Sequence, residues 1–411
     1  MRYFRIILLL TFLVLFYCAV STADVKLSAL ISDNMVLQRG MNARIWGWAD
    51  PGERVTVELS NSRKSTAAGN NGSWSVELDP MKAGGPYKMS VTGNNSIVIE
   101  NGLVGDIWVC SGQSNMEWHV KYSDNAEKEI ADGNYPMIRL FRVKKAGAGE
   151  PAGDCGGIWT ECTSQTVGDF SAVGYFFGRE LHTRLDVPIG LIQSAWGGTA
   201  AEAWTRFEAL KAEPELRPMT AKWETISPEK RAEMVDHYDL LADWFVYCFA
   251  CMARRVSYGP IPKGDFGAPS WLYNAMIAPL TNYTIKGVTW LQGESNAGRA
   301  YQYRTLLRTL ITDWRRQWRQ GDFPFMIVQL SNNRKRKDEP TESAWAELCE
   351  AQLMALDLPN TGLAVTIDIG VENDVHYRNK QDAGKRLAIS ALKVAYGRDI
   401  VHSGPIYDPV E

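Results

Sequence analysis

VGDIWVCSGQSNMEW, residues 104–118, is the stretch on which the fold turns. Its apolar run, Asp106 to Cys110, reads as a strand covered on both faces, and strands of that kind belong to parallel sheets. The run then breaks at Gly112 and sets Ser114 between the side-chain amides of Gln113 and Asn115. Gly, Ser and Asn are also what any tight turn prefers. The stretch is thus either an ordinary strand end or a turn that presents a nucleophile.

The same rhythm repeats downstream. PIGLIQS (188–194), IKGVTWLQG (285–293), FPFMIVQLS (323–331) and GLAVTIDIG (362–370) are further near-continuous apolar runs. Between them Tyr303, Leu306, Leu307, Leu310, Ile311, Trp314 and Trp318 recur at helical spacing, as do Leu387, Ala388, Ala391, Leu392 and Ala395. Strand alternating with helix predicts an α/β domain of three layers around a parallel sheet, over 106–400. Residues 206–270 interrupt it as an insertion of helical character, and 401–411 form a tail. Upstream, VTVEL (55–59), SWSVEL (73–78), YKMSV (87–91) and SIVIE (96–100) alternate apolar and polar residues between Gly, Asn and Pro clusters, which predicts a small antiparallel β-sandwich over 24–105 as a separate domain.

The chain opens with a basic start and an apolar stretch from Ile6 to Val20, followed by Ser21 and Ala23, which reads as a secretory signal, 1–23. A secreted or periplasmic protein is expected. No membrane span is expected after signal cleavage, because DWFVYCFACM (243–252) is too short and is flanked by charge. A net charge of −3 argues against a nucleic-acid partner. Of the seven cysteines, Cys155 and Cys162, or Cys248 and Cys251, are close enough to pair in an oxidising compartment. Cys248 and Cys251 lie in an apolar segment and read as buried thiols, and the spacing does not make a metal site.

Ligands of open parallel sheets gather beyond the carboxyl ends of the strands. Four polar clusters fall there: GQSN (112–115), QSAWGGT (193–199), QGESN (292–296) and DIGVENDVH (368–376). A serine needs a base to take its proton. Of the five histidines, His182 lies in a helical pattern, His237 in the insertion, His402 in the tail, and His119 is too near Ser114 in sequence to fold back onto it. His376, in a loop after the last strand, remains. Asp374, two residues earlier in an extended segment, points the same way and could accept the imidazole Nδ1 proton. Acyl transfer also needs donors where the carbonyl oxygen becomes negative. The Ser114 N–H, an N–H of the Gly197–Gly198 pair and the Asn296 amide come from three strand ends and could supply them, although the glycines also suit a plain turn and Asn296 a helix cap. Gln113, Gln292 and Glu294 are candidates to hold substrate. Glu294 could equally orient the base or cap the following helix.

GQSNMEW, GLIQSAWGGTAAEAW, WLYNAMIAPL, WLQGESNAGRAYQYR and DVHYRNKQDAGKRLA together resemble the sialate O-acetylesterase family, a branch of the SGNH hydrolases. The resemblance spans most of residues 105–396. It implies a flavodoxin-like SGNH hydrolase domain that removes acetyl groups from sugar hydroxyls through an acyl-serine, with no cofactor or metal. It carries the nucleophile onto Ser114, the base onto His376, and the oxyanion donors onto the Ser114 amide, the glycine pair near Gly198, and Asn296. In many relatives the acid precedes the histidine by three positions, here Asn373, whereas Asp374 lies one step closer. O-acetylated sialic acid is the first substrate expected and acetylated xylan the second. A carbohydrate-binding protein without catalysis is the reading from another class. The aromatic residues Trp223, Trp244 and Trp271 would serve sugar recognition.

Overall fold

The computed structural model describes residues 24–226, 268–335, 337–339 and 341–405. The signal-like segment, most of the expected insertion with His237, Trp244, Cys248 and Cys251, and the end of the tail lie outside them. Among the described residues Cys110, Cys155, Cys162 and Cys349 are free thiols. None of the described helices is long and apolar enough to cross a membrane.

The protein is an α/β structure built on a mixed sheet. The strands lie side by side in the order Trp159–Cys162, Tyr135–Arg142, Ile189–Ala195, Ser96–Gly112, Gly287–Leu291, Phe325–Val328 and Thr361–Ala364. All neighbours are parallel except the first pair, which is antiparallel. Numbered along the chain, the five strands recognised from sequence stand in the order 2-1-3-4-5, the flavodoxin-like arrangement.

Alternation along each strand sends side chains to two separate cores. Ile107, Val109, Val288, Trp290, Phe325 and Ile327 point to one face, where they meet Leu306, Leu310 and Trp314 of the helix Ala300–Trp318. Trp108, Cys110, Leu191, Met326 and Val328 point to the other, against Phe177 and Leu181 of the helix Ala172–Leu185 and Leu387 and Ala391 of the helix Lys380–Val394. Both helices expected from spacing are therefore present, and the sheet is covered on both faces.

The N-terminal residues form mainly antiparallel β structure, as their alternation predicts, with Val36–Gln38 pairing in parallel with the strand that carries Leu103. Lys26–Leu27, Ala43–Trp48 and Ser73–Leu78 make one sheet, while Arg54–Leu59 pairs with Ser62–Ala67 and Gly84–Thr92. The boundary expected at residue 105 falls inside a single strand of 17 residues, Ser96–Gly112. Its first half pairs with Gly84–Thr92 and its second half is the centre of the parallel sheet. One apolar core includes Val55, Val76 and Ile99 of the N-terminal part together with Val109 and Trp290. Hydrogen bonding and packing run across residue 105.

Three further differences from the sequence reading have local causes. Tyr135–Arg142 is a strand disguised by Arg139, which is buried and pairs with Glu161 at 3.0 Å. With Trp159–Cys162 it makes the sheet mixed instead of all-parallel. The run expected to be a strand to Gly370 stops at Ala364, where its partner strand also stops, at Val328, so Val365 and Ile367 are exposed despite being apolar.

Candidate active site

Register decides which loops meet. Gly112, Ala195 and Leu291 lie opposite one another at the carboxyl ends of three adjacent parallel strands. The segments that follow, 113–118, 196–199 and 292–296, therefore leave the sheet from one row, at the point where connections diverge to either side. Gly112 makes this row possible. Its φ is +142° and an added Cβ would stand 2.0 Å from the Leu291 carbonyl oxygen. The close approach lets the Gln113 N–H reach Leu291 O at 3.0 Å and the Trp196 N–H reach Gly112 O at 3.1 Å. Ser114 then opens the short helix Ser114–Glu117 with 7% of its surface exposed. The helix is pinned from outside by Ser171, whose Oγ donates to Met116 O at 2.6 Å, and by the Ala172 N–H, which donates to Trp118 O at 2.7 Å.

The loop after Ile189–Ala195 carries the glycine pair, and the two glycines are not equivalent. The Gly197 N–H donates to Glu117 Oε2 at 2.7 Å, and Glu117 is buried and paired with Lys145 at 2.6 Å. Gly197 is thereby withdrawn from the expected donors. Among the described residues no group takes the N–H of Gly198, which stands at φ +75°. Asn296 is held in one orientation: its Oδ1 accepts from the Ala201 N–H at 3.0 Å and Gln292 Nε2 at 2.7 Å, and its Nδ2 donates to Glu202 Oε2 at 3.0 Å. Arg299 anchors the other oxygen of Glu202 at 2.6 Å. One Nδ2 hydrogen of Asn296 is left for another acceptor.

His376 arrives from the far side through Asn115. The Asn115 Nδ2 donates to the Val375 carbonyl at 2.9 Å, which fixes the loop just before the histidine onto the helix that begins with Ser114. The imidazole stacks on Trp118 of the same segment, with centroids 5.2 Å apart and planes 14° apart. Burial and then the charge of Lys380 push the His376 imidazole down to about 4, against the opposing pull of Asp374. Asp374 meets His376 through the backbone, its Oδ1 accepting the His376 N–H at 2.9 Å in an Asx turn. Its charge thus sits beside the histidine, and its Oδ1 also holds the main chain of the loop.

Two of the residues expected to hold substrate are turned inward. Gln113 Oε1 accepts from the N–H groups of Ser295 and Gly293 at 3.2 and 3.4 Å. Gln292 is buried, with Nε2 on Asn296 and on Thr199 O at 3.3 Å, and Oε1 accepting from the Tyr303 hydroxyl at 2.9 Å. Through these groups both brace the loops. Glu294 Oε1 accepts from Asn115 Nδ2 at 2.6 Å, while burial raises its pKa. Trp223 and Trp271, expected to serve sugar recognition, are buried, and with Arg206 and Tyr273 they line a cavity of about 290 Å³. The remaining described histidines serve elsewhere: His182 Nδ1 contacts Val187 O at 2.8 Å, His119 stacks on Tyr122 with centroids 5.8 Å apart, and His402 lines a separate cavity with Leu363 and Arg386. Glu117, Lys145, Glu202 and Lys380 escaped the sequence reading, and Asn115 stood beside Ser114 there without a role. The apolar-flanked Glu of MEW and of AEAW is the only local sign that such a residue must be paired inside.

A family profile described as carbohydrate esterase, sialic acid-specific acetylesterase, matches residues 104–225 and 262–393. The sialate O-acetylesterase of Rattus norvegicus is 33% identical over 94% of this chain and 76% of its own length. That of Homo sapiens is 31% identical over 94% and 74%. Among solved structures, a carbohydrate acetylesterase from Xanthomonas citri superposes with a TM-score of 0.78 at 35% identity, covering 93% of this chain and 78% of that one.

Proposed function

The chain belongs to the sialic acid-specific acetylesterase family of carbohydrate esterases, and from that premise we propose how and on what it acts. It is a carboxylic ester hydrolase, a sialate O-acetylesterase-like carbohydrate acetylesterase. In the proposed reaction, on an SGNH-type hydrolase core, Ser114 Oγ attacks the acetyl carbonyl as His376 takes the serine proton. The oxyanion is met by the N–H groups of Ser114 and Gly198 and by the open Nδ2 hydrogen of Asn296. His376 returns the proton to the departing sugar oxygen, leaving acetyl-Ser114, and a water activated by the same imidazole then releases acetate. Asp374 supplies negative charge beside the imidazolium that forms in both steps.

The observation that carries this reading is the register of Gly112, Ala195 and Leu291. It brings the serine and two kinds of donor to one row, while Asn115 holds the loop of His376 against the same helix. O-acetylated sialic acid, with the 9-O-acetyl form first, is the proposed substrate. The signal-like start supports export, and we propose a secreted or periplasmic site of action.

The test is released acetate from 9-O-acetylated sialic acid and from acetylated xylo-oligosaccharides in parallel, with an activated acetyl ester as control. The parent is expected to release acetate from the sialic acid, and Ser114→Ala to release none while melting at the same temperature. Equal turnover by Ser114→Ala would remove the serine mechanism, and release from the xylo-oligosaccharides alone would replace the substrate.

A further inference from the structure

Lys380 is fully buried at the start of the helix Lys380–Val394, a costly place for an ammonium. Its Nζ donates to Asn115 Oδ1 at 2.5 Å and lies 3.5 Å from the centre of the Tyr377 ring and 5.8 Å from that of Trp118. On its other side the Asn115 amide gives its Nδ2 to Glu294 Oε1 and to the Val375 carbonyl. Glu294 Oε2 is buried and takes no hydrogen bond among the described residues. An ammonium and a carboxylate thus face each other through one amide.

An asparagine amide has two ends of nearly equal shape, and its neighbours choose between its orientations. As an ammonium Lys380 can only donate, as a carboxylate Glu294 can only accept, and the Val375 carbonyl accepts in every state. Turning the Asn115 amide over would set Nδ2 against the ammonium and Oδ1 against two acceptors. The amide is locked, and with it the link between the segment of Ser114 and the loop of His376. An apolar side chain at 380 would fill the space as well and would avoid burying a charge. Packing alone does not account for the lysine.

We propose that Lys380 is a positioning residue for the esterase reaction: by fixing the Asn115 amide between Glu294 and the Val375 carbonyl, it holds His376 in register with Ser114. This deepens the function proposed above and rests on it. Lys380 also faces Asp374 and Asp124 besides Glu294, and burial drives its own pKa well down against these three. Its charge bears on His376 directly. The lysine therefore sets both where the imidazole stands and how readily it takes a proton.

The test uses the full chain and two variants, Lys380→Met and Lys380→Met/Glu294→Gln, the second removing both charges so that neither is left alone in the interior. Thermal melts establish folding. Turnover of an activated acetyl ester is expected to lose about 10²-fold in kcat with little change in KM, as a ~1 Å misplacement of a catalytic group costs. The His376 imidazole, followed by NMR titration without any turnover, is expected to take its proton at higher pH once the neighbouring cation is gone. A folded variant with kcat within about threefold of the parent, or with an unmoved His376 titration, overturns the proposal. So does failure of both variants to fold, since the pair would then be a folding element. Loss of the esterase reading would show separately, as a parent whose turnover survives Ser114→Ala.

Discussion

Gly112→Ala tests the point where the fold and the site are the same object. The added Cβ would sit 2.0 Å from the Leu291 carbonyl oxygen, and ordinary contacts require more than 3 Å, so the two central strands must separate by about 1 Å at their ends. Backbone at φ +142° adds strain for any residue with a side chain. Strain of this kind costs ~1–3 kcal/mol, and forcing an extra methyl into a packed site costs ~1–3 kcal/mol more. The expected loss is about 2–6 kcal/mol from a total that is usually ~5–15 kcal/mol. The strain is placed where the Gln113 N–H reaches Leu291 O, so what relaxes is the path into Ser114, and kcat of the folded fraction should fall about 10²-fold. Urea unfolding of parent and variant, read with ester turnover under fully folded conditions, measures both terms. Gly298→Ala is the control, since a Cβ there meets nothing within 4 Å, and it should be near neutral. A Gly112→Ala protein as stable and as active as the Gly298→Ala control would refute the register argument.

Two further outcomes follow from the loops around Ser114. Asn296→Ala should lower kcat by ~10²–10³, the usual cost of one oxyanion donor. It should also destabilise by ~1–3 kcal/mol, because the buried Ala201 N–H loses its acceptor; an unchanged kcat would exclude Asn296 as a donor. The pH profile should differ from that of an ordinary imidazole: with His376 held down at about 4, kcat/KM should rise through that region and be flat across neutrality, and an acid limb centred near the unperturbed value would count against the buried base. The same shift makes the unfolded chain bind the proton first, so stability contributed by the neutral imidazole is complete above about 6.5 and falls as pH drops toward about 4. Urea midpoints across that window measure it.

The parts of this protein that could be read in advance are those in which residue type and local period carry the information. Ser114, Asn296 and His376 stood out because each follows an apolar run, and parallel register then brought two of those runs to a common end. The helices Ala300–Trp318 and Lys380–Val394 were legible because their buried faces repeat at helical spacing. The strand Tyr135–Arg142 was not, because Arg139 interrupts the apolar run, and its partners Glu161 and Asn101 are remote from it in sequence.

The same distinction limits what the sequence says of the loops around Ser114. A sequence names donors and acceptors but not which of them are already engaged, and engagement is settled by contacts with no local period. Gly197 loses its N–H to a carboxylate 80 residues away, and Asn115 receives its ammonium from 265 residues away. Gln113 and Gln292 are candidates to hold substrate by residue type, and their side chains also hold the neighbouring loop. Every buried donor must be accounted for, so deciding which groups face a substrate means first removing those that brace the scaffold. Once that subtraction is made among the described residues, the Gly198 N–H and one hydrogen of Asn296 remain on the loops that leave the sheet beside Ser114, a set small enough for single substitutions to decide.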